Sequence, residues 1–256
     1  MMGATLPQRL QSLKGVLRSL KIYYGDRTRH RAMDDLYRDF VDPGDLVFDI
    51  GSHVGDRVAA FRRLGCHVVA VEPQPSLARI LRLAYGWRPS VTVVQAAVGA
   101  ETGVIDLHLN LANPTVATGS PEFIAAAKDS DGWRDQRWTQ RVRVPLTTLD
   151  ELIARFGEPR FVKIDVEGFE ADVLRGLTRP IATLSFEFTT IQRDVAQVAL
   201  DRCAALGRYE YNVAMGESQR LLFDRWVEAT DVKTWLDGLP HAANSGDIYA
   251  RLRETA

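Results

Sequence analysis

The sequence contains only two cysteines, Cys66 and Cys203, among its 256 residues. Two thiols cannot build the disulfide framework that holds small secreted domains together, and they are too few for a cysteine zinc cluster. Such sparse cysteine usage is typical of a protein in a reducing compartment. We therefore expect a cytoplasmic location.

A surplus of basic residues is also missing, since 32 lysines and arginines face 33 acidic residues, for a net charge of −1. This balance argues against nucleic acid as the main partner. No apolar run approaches the ~20 residues that span a bilayer, and no secretory signal is evident. With 46% hydrophobic and 25% charged residues, the composition is that of a globular protein. The length suits one α/β domain with a sizeable core or two small domains.

The N-terminal region differs from the rest in charge, because residues 1–31 carry seven lysines and arginines against one acid, Asp26. Five leucines in it recur at spacings of four and three residues, which predicts one apolar face of a helix. They are Leu6, Leu10, Leu13, Leu17 and Leu20. We expect a helical extension over residues 1–41 that packs on the following domain or over its cleft. The alternative is a basic amphipathic helix that touches an anionic membrane or a partner.

A short apolar strand that runs into a glycine turn and a helix organises the rest of the chain. The strand covers residues 46–49, and helical spacing extends from 54 to 64. Between them, Gly51 lets the backbone turn sharply or approach a ligand closely. This order is the opening unit of a nucleotide-binding α/β domain.

The glycines of this turn argue against two familiar phosphate-binding loops. A dinucleotide fingerprint starting at Gly51 needs glycines at positions where the chain has His53 and Asp56, and the second glycine is Gly55 instead. No Gly-Lys-Ser/Thr follows, as a phosphate loop requires. The turn therefore either brings backbone close to another kind of cofactor or simply joins the strand to the helix.

Polar residues stand at or near the carboxyl ends of the predicted core strands. They are Asp49, Glu72, Gln95, Asp165 and Glu187. The strands and helices alternate as β-α-β-α-β, which predicts a parallel sheet whose ligand binds at those ends. Glu72 follows Gly51 by 21 residues, the spacing at which such folds place a carboxylate on ribose hydroxyls. Acids and an amide suit a cationic nucleoside such as S-adenosylmethionine, whereas a pyrophosphate requires bare backbone N–H groups.

Residues 110–141 lack clear periodicity and contain two tryptophans, Trp133 and Trp138. An irregular stretch of this length within a compact domain is usually functional or mobile. We interpret it as a candidate lid over a substrate, and the alternative is a disordered insertion.

Five motifs together resemble those of the FkbM family of methyltransferases. They are Phe48-Asp-Ile-Gly-Ser-His-Val-Gly55, Val71-Glu-Pro-Gln-Pro75, Ala96-Ala-Val-Gly99, Thr148-Leu-Asp-Glu151 and Lys163-Ile-Asp-Val-Glu-Gly-Phe-Glu170. The match covers roughly residues 44–190, and the last motif is its most specific part. The resemblance implies a methyltransferase domain, which we place at residues 42–256, with the Rossmann-like class I α/β fold. We expect a mostly parallel, doubly wound sheet with an antiparallel last strand.

The resemblance also implies S-adenosyl-L-methionine as the cofactor and transfer of its methyl group to an oxygen. Substrates of the family are often sugar hydroxyls on glycolipids, polysaccharides or polyketide natural products, so we expect a small-molecule or glycan acceptor. The residues predicted to bind the cofactor are Asp49, Gly51, His53, Gly55, Glu72, Gln95 and Ala96. The family commonly has Ala-Asn where this chain has Ser52-His53. We expect His53 to take the place of that asparagine, and the alternative is a general base.

Asp165 and Glu167 are the predicted catalytic pair. Asp165 ends a core strand at the crevice, where a carboxylate can orient an acceptor hydroxyl and take its proton. Glu167 is its expected partner, and which of them takes the proton stays open. Helix capping is the alternative role for both. With Glu187 the pair could converge on Mg²⁺, but no sequence spacing demands it, so we assign no metal ligand.

Two rival functions stay open from the sequence. One is an NAD(P)-dependent oxidoreductase, which the glycine pattern counts against. The other is a cofactor-binding module without catalysis, which the presence of Asp165 and Glu167 counts against.

Overall fold

The computed structural model describes residues 6–253, with side chains from Gln11 onward except those of Ser12 and Arg27. Its strands are β1 Leu46–Ile50, β2 His67–Val71, β3 Val91–Val94, β4 Ala97–Val98, β5 Gly103–Leu109, β6 Gln140–Thr147, β7 Phe161–Ile164, β8 Thr183–Thr189, β9 Tyr209–Met215 and β10 Ser245–Leu252. Its helices are α1 Leu6–Tyr24, α2 Arg27–Arg38, α3 Asp56–Arg63, α4 Pro75–Tyr85, α5 Pro121–Lys128, α6 Leu149–Phe156, α7 Glu170–Arg175, α8 Arg193–Leu206 and α9 Ala229–Gly238. Short 3-10 turns lie at Pro114–Val116 and His241–Ala243.

The central sheet has seven strands in the order β3-β2-β1-β7-β8-β10-β9. The pairs from β3 to β8 are all parallel, whereas β10 is antiparallel to both β8 and β9. The predicted α/β fold, with a mostly parallel doubly wound sheet and an antiparallel last strand, is confirmed. The direction of winding reverses between β1 and β7, which is where such sheets bind their ligands. A separate small sheet has the order β4-β6-β5.

Helices cover both faces of the central sheet, as alternating side chains require. Phe48 of β1 belongs to a core shared with α6, α7, α8 and α9. Its neighbour Val47 points the other way, into a core shared with α2, α3 and α4. Burial on both faces explains why the central strands are short, nearly continuous apolar runs.

The N-terminal extension forms two helices that pack on the same body. Helix α2 buries Met33 and Tyr37 fully within the core beside α3, so the extension is not a separate unit. Helix α1 packs on the domain, as expected, and Leu20 of the predicted leucine face packs against the core. Leu13 and Leu17 of that face do not, because they are 55% and 57% exposed. Val16 is buried instead. The side chains of Leu6 and Leu10 lie outside the described residues.

Gly15 explains which face of α1 turns inward. A Cβ at Gly15 would lie only 2.7 Å from the carbonyl oxygen of Leu111, so the absence of a side chain lets the helix approach that backbone closely. The leucine periodicity correctly indicated an apolar stripe on the helix. It could not show that the side of the helix that carries Gly15 would pack against the domain.

Residues 110–141 are not an unstructured insertion, since they contain the 3-10 turn at Pro114–Val116 and helix α5. Among the helices of residues 6–253, none combines the length and the apolar character needed to cross a bilayer.

Candidate active site

A crevice of about 910 Å³, counting its solvent-open mouth, lies at the carboxyl ends of β1, β2 and β7. The turn after β1 forms its floor. Gly51 has φ +84°, and a Cβ there would lie 1.8 Å from the carbonyl oxygen of Asp165. Only glycine fits, because any side chain would push the ends of β1 and β7 apart. Both strand ends thereby meet at one point.

Gly55 shapes the same turn without lining the crevice. It is the N-cap of α3 with φ +84°, and a Cβ would lie 2.7 Å from Leu81 and 2.9 Å from Tyr85. Its role is therefore close packing against α4 at a left-handed position, which glycine adopts without strain. Direct contact with a ligand, as we predicted for it, has no support in this geometry.

Glu72 lies just after β2 and is only 2% exposed. Its Oε2 accepts a hydrogen bond from the backbone N–H of His53 at 2.8 Å, and its Oε1 accepts one from that of Gln74 at 2.7 Å. Burial raises the pKa of this carboxyl to about 8, although the two backbone donors oppose the shift. The carboxylate lines the crevice at the place where the sequence predicts ribose binding.

Asp49 and His53 bring unpaired polar atoms to the crevice lining. Within the described part of the chain, no donor or acceptor reaches Asp49 Oδ2 or His53 Nε2. Burial raises the pKa of Asp49 to about 7 and lowers that of His53 to about 4, so the imidazole is neutral at pH 7. Buried polar atoms without partners are rare in native proteins, and they fit a site built for a ligand.

Ala96 lines the crevice, but Gln95 does not. The side-chain oxygen of Gln95 accepts a hydrogen bond from Arg82 of α4 at 2.9 Å, which turns it away from the crevice. Neighbouring residues in an extended segment point to opposite sides, so only one of this pair can face the ligand.

Asp165 follows β7, and its side chain is 36% exposed at the crevice. The Nζ of fully buried Lys163 lies 3.2 Å from Asp165 Oδ2 and 2.8 Å from Oδ1 of Asp247 on β10. Burial opposes the charge of Lys163, but the two carboxylates outweigh it and raise the pKa of the ammonium. Asp247 was missed by the sequence argument, because its pairing across β8 is a tertiary feature. The sequence did contain one indication of such an ion pair, because Lys163 stands inside the buried strand β7, where a charged side chain needs a partner.

Glu167 also lines the crevice, at a turn held by Glu170. The carboxylate of Glu170 accepts hydrogen bonds from the backbone N–H groups of Val166 and Gly168, so Glu170 stabilises this turn. Glu187 lies on β8 beside Asp165, outside the crevice lining. Burial is the main cause that raises the pKa of both acids. A neighbouring carboxylate raises each pKa further: Asp165 acts on Glu167, and Glu167 acts on Glu187.

An aromatic and charged cluster, made of Tyr23, Arg29, Arg57 and Glu217, lies on the side of the crevice near α1. Glu217 bonds to Arg29 at 2.9 Å and to Arg57 at 3.0 Å, and the Arg29 guanidinium stacks on the Tyr23 ring. Tyr23, Arg57 and Glu217 line the crevice. They come from three distant parts of the chain, so no sequence pattern indicated them.

The 110–141 segment supplies another wall, through Thr115, Ala117 and Gly119. Neither of its tryptophans lines the crevice, and Trp133 donates a hydrogen bond to Asn244 Oδ1 outside the segment at 3.2 Å. Trp138 donates a hydrogen bond to the carbonyl of Val116 at 2.7 Å, and both indoles contact Phe123 edge-on.

These residues fit S-adenosylmethionine. Glu72 offers a carboxylate for hydroxyls, Asp49 and His53 carry polar atoms that lack partners, and Gly51 keeps the floor free of side chains. A doubly wound sheet with this site at its switch point defines the class, a Rossmann-like S-adenosylmethionine-dependent methyltransferase.

The chain belongs to the FkbM family of methyltransferases, since the model of the Methyltransferase FkbM domain matches residues 49–220. It acts as an S-adenosylmethionine-dependent methyltransferase. Among curated proteins, none matches the chain.

Solved structures of methyltransferases have similar folds. The O-methyltransferase from Bacillus cereus, in complex with SAH, has a TM-score of 0.50 at 11% identity, covering 99% of this chain and 93% of its own. Precorrin-6Y C5,15-methyltransferase from Geobacter metallireducens GS-15 has a TM-score of 0.44 at 13% identity, covering 88% and 86%. At these identities the likeness shows the fold alone.

Proposed function

We propose that this methyltransferase transfers the methyl group to a hydroxyl oxygen, with Asp165 as the residue that orients the hydroxyl and takes its proton. The observation that carries the proposal is the position of Asp165, at the end of β7 on the crevice and one strand away from β1. Glu167, at the next turn of the same wall, is its partner. The acceptor is a sugar hydroxyl on a glycolipid, a polysaccharide or a natural product.

The chemistry asks little more of the protein than alignment and removal of one proton. S-adenosylmethionine, when bound, supplies a methyl group that its positive sulfur already activates. Asp165 then acts as a hydrogen-bond acceptor for the incoming hydroxyl and as a late general base. Lys163 holds Asp165 Oδ2 at 3.2 Å, which fixes the carboxylate and leaves Oδ1 for the acceptor.

Cofactor binding in this proposal falls to Glu72 at the ribose hydroxyls and to Asp49 and His53 at polar atoms of the cofactor. Gly51 and Ala96 allow close approach. Gly55 acts through the shape of the turn, and Gln95 has no direct contact.

A cytoplasmic location is part of the proposal, supported by two buried thiols, Cys66 and Cys203, that are both free.

Transfer of labelled methyl groups to extracted glycans tests the proposal. Purified chain is incubated with methyl-labelled S-adenosylmethionine and a total glycolipid and polysaccharide extract of the source cells. Acid hydrolysis and mass spectrometry then identify the methylated product. We expect an O-methyl sugar, and we expect Asp165→Asn to lower turnover by roughly 10²–10⁴-fold, as for loss of a general base. A methylated amine or carbon, or near-normal turnover by Asp165→Asn, would contradict it.

We also propose that helix α1 makes a weak contact with an anionic lipid surface. Leu13, Leu17 and Ile22 are 55%, 57% and 52% exposed on this helix. The exposed basic residues between them are Lys14, Arg18 and Lys21. Apolar side chains interleaved with lysine and arginine match a surface of acidic headgroups over acyl chains, where each basic residue contributes about 1 kcal/mol. Such a contact would hold the enzyme near a lipid-linked acceptor.

Co-sedimentation with vesicles separates this contact from non-specific stickiness. We expect binding to phosphatidylglycerol-containing vesicles, weaker binding in high salt, and little binding to pure phosphatidylcholine. Leu13→Ser with Leu17→Ser should remove it. Leu83→Ser is the matched control, because Leu83 is 73% exposed and belongs to α4 rather than α1. Equal loss in the control, or no sedimentation with acidic vesicles, would rule out the contact.

A further inference from the structure

Three carboxylates gather at one wall of the crevice, on two neighbouring strands and one turn. Ile164 of β7 pairs with Phe186 of β8, so the next residues along, Asp165 and Glu187, stand side by side. Glu167 comes from the turn after β7. One carboxylate oxygen from each of the three acids lies within 4.8 Å of the other two.

The surrounding positive charge does not balance this cluster. Lys163 carries a single charge, which is already shared between Asp165 at 3.2 Å and Asp247 at 2.8 Å. Glu170 adds another buried acid close by, on the same turn as Glu167. Buried like charges without a counter-charge are costly, so a cluster of this kind needs either protons or a cation.

Several buried oxygens near the cluster have no hydrogen-bond partner in the described part of the chain. Glu167 is only 6% exposed, and among the described residues no donor reaches its Oε2 or the Oε2 of Glu187. The Oε1 of Gln192, 8% exposed, also has no partner in that part of the chain, and a Cβ on Gly168 would lie 2.3 Å from it. The neighbourhood is thus rich in buried oxygen acceptors and poor in donors, which is the chemistry of a site for a hard cation.

We propose that Asp165, Glu167 and Glu187 bind one divalent cation, Mg²⁺ or Mn²⁺. Among any three oxygens bound to octahedral Mg²⁺, at least two pairs are adjacent and lie about 3 Å apart, whereas oxygens on opposite sides lie about 4.2 Å apart. The observed separations, at most 4.8 Å, therefore close to these distances with side-chain movements of up to about 1 Å. Three carboxylates leave coordination positions for water or for a hydroxyl group.

The position of the ion defines what it can do. Asp165 and Glu167 line the crevice, so an ion between them and Glu187 lies in the crevice wall, next to the place proposed for the acceptor. There it can bind the acceptor hydroxyl and lower its pKa. This catalytic part rests on the proposed function, whereas the binding of the ion does not.

Titration of the chelator-treated full chain with Mn²⁺, followed by electron paramagnetic resonance of the free ion, tests the site. S-adenosylhomocysteine binding is measured by calorimetry on the same samples. We expect one Mn²⁺ per chain, displaced by Mg²⁺. Glu187→Gln should weaken Mn²⁺ binding at least tenfold while leaving S-adenosylhomocysteine affinity unchanged, because Glu187 is outside the crevice lining. Asp172→Asn, which removes a half-buried acid paired with Arg175, should change neither.

A chain that binds S-adenosylhomocysteine but no Mn²⁺ up to about 1 mM would overturn the metal site and leave the methyltransferase assignment intact. The three acids would then share protons or accept directly from substrate hydroxyls. Mn²⁺ binding of equal strength in Glu187→Gln would overturn the choice of ligands. If Glu187→Gln loses S-adenosylhomocysteine binding and has therefore misfolded, Glu167→Gln replaces it for the Mn²⁺ titration alone, with its fold checked by circular dichroism, and equal Mn²⁺ binding in that variant would overturn the choice of ligands.

Discussion

Glu72 is 2% exposed, and both of its carboxylate oxygens accept hydrogen bonds from backbone N–H groups, one from His53 and one from Gln74. The acid thereby ties the glycine turn after β1 to the end of β2. It also brings a carboxylate to the crevice that can accept from two further hydroxyls. Its pKa, raised by burial to about 8, makes that second role depend on pH.

S-adenosylhomocysteine affinity should increase with pH. Below pH 8 the folded protein holds Glu72 largely protonated, and ribose hydroxyls bind best to the ionised form. Affinity should therefore rise by up to about tenfold per pH unit from pH 6 to 8 and level off above. Glu72→Gln is the control, since its amide cannot ionise. It should bind more weakly, by roughly 1–3 kcal/mol, with a flatter profile. Calorimetry between pH 6 and 9 measures both, and a wild-type profile without slope would contradict the role of Glu72.

Several site residues could be predicted because each follows a recognisable strand. Asp49, Glu72 and Asp165 come at the ends of apolar runs, and parallel strands bring their carboxyl ends together. Gln95 also follows an apolar run. Neighbouring side chains point to opposite sides of the chain, however, and the side chain of Gln95 bonds to Arg82. Tyr23 and Glu217 escaped prediction because nothing local marks them, and only tertiary packing brings them to the crevice.

Among the elements, β1 was predicted almost to the residue, as 46–49 against the observed Leu46–Ile50, since a short apolar run that ends in a glycine turn leaves few alternatives. The two-residue strand β4 was missed because so short a segment has no periodicity. The predicted leucine face of α1 was only partly right, since Leu20 packs against the core but Leu13 and Leu17 are exposed. Amphipathic spacing shows that a helix has an apolar stripe, but a close contact at Gly15 decides which side meets the domain.

The indole of Trp138 links two parts of the segment 110–141, since it contacts both Val116 and Phe123. Trp138→Ala removes a hydrogen bond to Val116 and an edge-on contact with Phe123, a combined loss of roughly 1–3 kcal/mol. The segment should open more often, in proportion to the free energy lost. Tryptic cleavage at Lys128, Arg134 or Arg137 should therefore accelerate about 5- to 150-fold.

Trp87→Ala serves as the comparison for this experiment. Trp87 is 68% exposed, and in the described part of the chain its ring stacks with the adjacent Arg88. Its loss should therefore leave the cleavage rate unchanged. Similar acceleration in both variants would mean that Trp138 does not anchor the segment. A lid role for 110–141 stays a prediction, supported by the three residues it contributes to the crevice.

At the scale of the whole molecule, the strand ends of the central sheet carry the acids of the site, and other segments complete its walls. The reversal of winding between β1 and β7 opens the crevice, and the strand ends on either side supply Glu72 and Asp165. The N-terminal helices pack on the same body and bring Tyr23 to the crevice. The cofactor site and the proposed acceptor site therefore lie side by side on one sheet.

Calorimetric titration of the full chain with S-adenosylhomocysteine, and separately with NAD⁺, tests the central claim most directly. The turn has glycines at 51 and 55 rather than the dinucleotide pattern, and its neighbour Glu72 presents a carboxylate to hydroxyls. We predict that one S-adenosylhomocysteine binds per chain and that NAD⁺ produces no binding heat. Binding of NAD⁺ with none of S-adenosylhomocysteine would contradict the account.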